Sequence, residues 1–128
     1  MKALVKAHGL EDSFHIESAA VSTEEIGNRI YPPAQRCLTP HGVEFDRNRT
    51  ARQVRRSDYD LFDRIICMDE SNLRLIKRII PSDPDGKIHL LMSYTGRHRD
   101  VADPWYTGDF EATFQDCLAG CEAMLRGL

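Results

Sequence analysis

Apolar positions along this chain alternate between two periods, and the changes of period mark out its helices and strands. Ala3, Leu4, Val5 and Ala7 precede Gly9, a residue that commonly closes a helix, so a helix is predicted over residues 1–8. No capping residue precedes Met1, and a helix that starts inside its own apolar pattern looks cut. Phe14, Ile16 and Ser18 then alternate with His15 and Glu17 and run into Ala19, Ala20 and Val21, which predicts a strand over 13–20. Gly27 and the Pro32-Pro33 pair mark a loop. Pro33 suits the start of a short helix ending near Gly42.

Residues 44–56 are polar and arginine-rich, hence mostly loop, and 57–62 fit a short helical turn. Arg64-Ile65-Ile66-Cys67-Met68 is a compact apolar run, the pattern of a strand buried on both faces. Asp69 is placed to cap a helix with Leu73, Ile76, Ile79 and Ile80 on one side, ended by Pro81. Residues 87–92 read as a short strand and 94–107 as loop. Residues 108–128 read as a long helix, with Phe110, Phe114, Cys117, Leu118, Cys121 and Leu125 at helical spacing. Strands alternating with helices predict an α/β layered domain with a mainly parallel sheet.

The 128 residues are one domain's worth and enough for a core, so 1–128 is taken as a single domain. A net charge of -3 gives no reason to expect nucleic-acid binding, and no apolar run is long enough to span a bilayer. No leader pattern opens the sequence. Cys37, Cys67, Cys117 and Cys121 are too sparse for a disulfide scaffold, so they are expected as reduced thiols in a cytoplasmic protein. Cys117 and Cys121 lie one helical turn apart and read better as buried small hydrophobes than as ligands. No metal or cofactor is expected, and the five histidines are given no role. Arg47, Arg49, Arg52, Arg55 and Arg56 form a basic stretch that could steer an acidic partner. With Asp58, Asp60 and Asp63 nearby, a partly salt-bridged surface explains it better.

Five stretches, in order, resemble the low-molecular-weight protein-tyrosine phosphatases. They are Ile16-Glu17-Ser18-Ala19-Ala20-Val21-Ser22, Glu25-Ile26-Gly27-Asn28, Thr50-Ala51-Arg52-Gln53, the run from Phe62 through Cys67-Met68-Asp69-Glu70-Ser71-Asn72 to Leu73, and Asp103-Pro104-Trp105-Tyr106-Thr107-Gly108-Asp109-Phe110. The resemblance implies a parallel sheet flanked by helices and hydrolysis of phosphotyrosine proteins or aryl phosphates. It also implies a first, central strand leading into a Cys-x5-Arg loop. There a thiolate attacks phosphorus while backbone N–H groups and the arginine hold the oxygens. No such loop occurs in these residues: Val43, Leu73, Ala123 and Gly127 lie six positions after the four cysteines. The expectation is a fold incomplete for want of that strand, loop and half a helix, about 25 residues at ordinary element lengths.

By resemblance, Asp103 is the general acid, which protonates the leaving phenolic oxygen and later activates water. Asp-Pro is also an ordinary turn pair. Trp105 and Tyr106 match aromatics that wall the aryl ring, although core packing would use them equally well. Glu24 stands where the family usually carries an aromatic on the opposite wall, which unsettles the usual substrate preference. Ser18 and Arg49 match residues supporting the phosphate loop, Arg49 in place of a histidine; both could also be plain surface polar residues.

Two readings follow. One is a truncated phosphatase-like chain, inactive as given. The other is a non-catalytic protein that uses the same fold for binding or self-association. Arsenate reductase chemistry, a weaker option, needs the same missing loop. Loss of a central strand would strip about ten ladder hydrogen bonds, each worth about 1 kcal/mol net. Either residues 13–20 shift across to pair with 64–68 or a second chain fills the slot, and an intertwined homodimer, formed by strand or segment exchange, is the expectation of the two.

Overall fold

The computed structural model describes residues 1–21, 31–43, 48, 50–97, 99–103 and 109–127. It is an α/β arrangement with the elements α1 (Lys2–Ala7), α2 (Pro32–Leu38), α3 (Asp58–Leu61), β1 (Ile65–Cys67), α4 (Glu70–Ile76), β2 (Ile88–Leu90) and α5 (Phe110–Arg126). β1 and β2 pair in parallel, with Ile65 opposite Ile88 and Cys67 opposite Leu90. The helix between them is the crossover that parallel strands require.

Local chemistry accounts for the element ends. Gly9 takes φ +69 after α1, and Gly42 takes φ +68 after the 3-10 turn Thr39–His41 that extends α2. Both are left-handed positions that favour glycine. The Asp69 carboxylate accepts the Asn72 N–H at 2.7 Å, and the Asn72 side chain accepts the Met68 N–H at 3.2 Å. This reciprocal pair fixes the corner where β1 becomes α4.

The core has two parts, and β1 lies between them. Cys67 joins Tyr59, Ile76, Ile80 and Leu90, with Ile65, Leu73 and Ile88 against them. On the other side Ile66 packs with Leu91, Met92, Val101, Cys117 and Cys121. The strand is thus covered on both faces, as its apolar run predicts. α5 approaches closely through Gly120, where an added Cβ would stand 2.5 Å from Leu91 Cγ. Among the described residues no helix is long and apolar enough to cross a membrane.

Two expectations need correction. Residues 13–20 do not form a strand: Glu11–Ser13 is a 3-10 turn, and only Ala20 makes a bridge, parallel to Gln53. Ala20 N–H donates to Arg52 O at 2.7 Å, and Val54 N–H donates to Ala20 O at 2.8 Å. The alternation does show in burial, with Phe14 and Ile16 half-buried and His15 and Glu17 exposed. Alternation signals which way side chains face; a strand also needs a neighbouring ladder, and here the ladder is one residue long. β2 also ends early. Leu91 and Met92 belong to a 3-10 turn, Leu91–Thr95, closed by Gly96 at φ +79. Their side chains are buried against α5.

Candidate catalytic site

Asp103 belongs to a segment, described over residues 99–103, that has no regular structure of its own but is tied on two sides. Val101 N–H donates to Met68 O at 2.9 Å, and the Asp100 carboxylate accepts the Glu70 N–H at 2.9 Å. These contacts hold the segment at the C-terminal end of β1, the end of a parallel strand where α/β folds bind ligands. From the other side, Asp116 on α5 accepts the Ala102 N–H at 2.9 Å and Thr113 Oγ1 donates to Ala102 O at 2.6 Å. Arg99 closes on Asp116 with two bonds, at 2.8 and 2.6 Å. The Arg99 guanidinium holds the Asp116 carboxyl below its ordinary value, against burial, with the Ala102 N–H adding to the effect. Asp103 itself is half-buried.

The arginine-rich stretch is partly built into the structure. Arg52 forks onto Asp58 at 3.0 and 3.3 Å, and Asp58 also accepts the Arg55 N–H at 2.8 Å. Burial pushes the Asp58 carboxyl up, but these bonds outweigh it and the net shift is downward. Arg52 thereby sits beside the Ala20 bridge, and its Nε lies 3.7 Å from Glu17 Oε1.

The remaining expected site residues divide into two groups. Ser18 is exposed, two positions ahead of the bridge. Glu24, Arg49, Trp105 and Tyr106 lie outside the described residues. Three of the thiols are shifted away from ionisation. Burial, then Asp69, pushes Cys67 up to about 11. Burial, then Cys121, pushes Cys117 up to about 11. Burial, then Glu111, raises Cys37. A phosphate-attacking thiolate needs the opposite shift.

One cluster is absent from the sequence-based candidates. Cys37, His41 and Glu111 bring their side-chain heteroatoms within 4.8 Å of one another. Its only sequence signal is the i, i+4 spacing of Cys37 and His41, because Glu111 comes from a helix 70 residues beyond His41.

Comparison with known proteins extends over the whole chain. Residues 1–128 match the family described as low molecular weight phosphotyrosine protein phosphatase. The chain is 40% identical over 130 residues to the low molecular weight phosphotyrosine protein phosphatase of Gallus gallus, a match covering 98% of this chain and 81% of that protein. Its fold is similar to the crystal structure of YfkJ from Bacillus subtilis, with a TM-score of 0.91, 34% identity, and coverage of 98% of this chain and 80% of that one. It is also similar to SP-PTP, the low molecular weight protein tyrosine phosphatase of Streptococcus pyogenes. There the TM-score is 0.86 and the identity 35%, covering 99% of this chain and 81% of that one.

Proposed function

Because the chain belongs to the low molecular weight phosphotyrosine protein phosphatase family, we propose that Asp103 is the general acid of a site for phosphotyrosine proteins or aryl phosphates, and that these 128 residues alone do not complete a turnover. In the first step a thiolate forms a bond to phosphorus, the P–O bond to the aryl group breaks, and Asp103 gives its proton to the leaving oxygen. In the second the Asp103 carboxylate takes a proton from the water that attacks phosphorus, the S–P bond breaks, and the thiolate is regenerated as inorganic phosphate leaves. By the family resemblance we assign Trp105 and Tyr106 to one wall for the aryl ring, Glu24 to the other, and Ser18 and Arg49 to the support of a Cys-x5-Arg loop that these residues do not themselves supply.

The observation that carries this reading is the double tether of the Asp103 segment, to the end of β1 and to α5. A general acid acts only when it is held in line with the leaving oxygen, so fixed placement of its segment counts directly toward the rate. The inactivity half rests on the absence, within these residues, of a cysteine followed six positions later by arginine. Groups that act as a unit lose nearly all their effect when one is gone. Aryl phosphate hydrolysis by the 128-residue chain should therefore equal that of Asp103→Ala. Turnover that vanishes in Asp103→Ala overturns the inactivity claim.

A second reading, self-association, has its own support. A groove of about 810 Å³ runs between α1 and residues 14–17, lined by Lys2, Val5, Lys6, Phe14, Ile16 and Glu17 among others. Among the described residues β1 pairs with β2 alone. Strand or segment exchange with a second copy would fill the groove and use the other edge of β1. Sedimentation should then show a dimer that dissociates on dilution; a folded monomer at every concentration contradicts it.

A further inference from the structure

We propose that Cys37, His41 and Glu111 form a binding site for Zn²⁺ or a similar divalent transition metal, joining α2 to α5. Cys37 is in the last turn of α2, His41 is in the 3-10 turn that continues it, and Glu111 is in the first turn of α5. Cys37 Sγ lies 3.8 Å from Glu111 Oε2, and His41 Nε2 lies 2.7 Å from the same oxygen.

Tetrahedral zinc, with Zn–S about 2.3 Å and Zn–N and Zn–O about 2.0 Å, requires S–O and S–N separations of about 3.5 Å and an N–O separation of about 3.3 Å. The S–O and N–O separations in the structure differ from these by less than an ångström, and no pair of the three atoms exceeds 4.8 Å. Small side-chain rotations therefore suffice, with no movement of either helix. The ion takes the place of the hydrogen bond between His41 and Glu111, and the Cys37 thiol gives its proton to solvent as the metal–sulfur bond forms.

The ligand set selects the metal. A thiol and an imidazole suit zinc, cobalt, nickel or ferrous iron, whereas magnesium and calcium prefer all-oxygen sites. Three protein ligands leave the fourth position to water. Outer contacts orient two of the ligands, as metal sites commonly require. Gln115 Nε2 donates to Glu111 Oε1 at 3.2 Å, and the His41 ring stacks on Phe114 with centroids 3.9 Å apart. The site opens to solvent, since the Glu111 side chain is 56% exposed and that of His41 29%. Occupancy would clamp α2 to the same end of α5 that carries Thr113 and Asp116, the residues tethering the Asp103 segment.

Titration of the reduced 128-residue chain with Co²⁺ tests the site by absorbance. Tetrahedral d–d bands and a near-ultraviolet thiolate-to-cobalt band should appear at one equivalent, and Zn²⁺ should abolish both. Cys37→Ser, checked for folding by circular dichroism, should lose the near-ultraviolet band. Glu111→Gln should keep that band but bind more weakly by at least about 10-fold, the least that disturbing a metal site's supporting shell commonly costs. Cys117→Ser and Cys121→Ser should behave as the parent. Absence of the bands, their persistence in Cys37→Ser, their loss in Cys117→Ser or Cys121→Ser, or unchanged affinity in Glu111→Gln overturns the proposal and leaves a hydrogen-bonded cluster only.

Discussion

Residues 99–103 and residues 14–20 are two segments without regular structure, held in opposite ways. The first is bonded along its length to neighbours that are themselves fixed: Met68, Glu70, Thr113 and Asp116. The second, among the described residues, has backbone hydrogen bonds only at Ala20. Its side-chain contacts, such as His15 to Glu17 at 2.9 Å, lie at the surface. The difference is that polar side chains of a packed helix supply backbone partners to the first irregular segment and not to the second. Thr113 and Asp116, three residues apart, stand on one side of α5 and do this for Ala102. Nothing equivalent faces residues 14–19 among the described residues.

The tethered side should therefore be the costlier one to disturb. Gly120→Ala forces a Cβ to within 2.5 Å of Leu91 Cγ and should push α5 away from the Leu91–Thr95 turn. Overpacking of this kind costs about 1–3 kcal/mol, read as a fall in the urea midpoint. If Gly120→Ala leaves the midpoint unchanged, α5 is not the rigid support described. Asp116→Ala leaves the Ala102 N–H without its acceptor, at a cost of about 1–2 kcal/mol. It should also speed amide hydrogen exchange at Ala102 toward the rate of residues 14–19.

Asp116 gives the tethered side an acid limit as well. Its folded carboxyl titrates below the ordinary value of 3.8, so the unfolded chain takes up this proton first as pH falls. Its contribution is therefore complete well above that value and is lost as pH drops through it toward the lower folded pKa. A stability profile measured between neutral and acid pH should lose part of this acid-side slope in Asp116→Asn. Asp69→Ala, which removes the cap of α4 beside the Met68 anchor, should cost about 1 kcal/mol. On the other side, Glu17→Ala should move the urea midpoint by the equivalent of no more than about 0.5 kcal/mol, as for most surface substitutions. A larger effect there would remove the contrast between the two segments.

How far each segment was legible in the sequence follows the same division. Apolar periodicity and cap chemistry are local, so α1, the cap at Asp69, the two-faced strand at Ile65–Cys67 and the long C-terminal helix were readable. Asp103 is singled out in the sequence only by a family resemblance, since Asp-Pro alone is a turn pair, and its role as acid is a proposal. The clamps on its segment were not readable. Thr113 and Asp116 look like ordinary polar positions of an amphipathic helix until the chain brings them to Ala102. The strand expected at 13–20 failed because alternation reports side-chain direction, while the ladder depends on distant residues. Cys37 and His41 were hidden by the same distance, with Glu111 on another helix.

The central claim is that these residues hold a positioned general acid at Asp103 but not the nucleophile it serves. A chimera tests it most directly: a strand and a Cys-x5-Arg loop of the family pattern joined ahead of Met1, with aryl phosphate turnover measured against pH in the chimera and in its Asp103→Asn variant. The account predicts restored turnover that Asp103→Asn lowers by about 10²–10⁴-fold, as removal of a general acid does. Restored turnover that is indifferent to Asp103→Asn would contradict it.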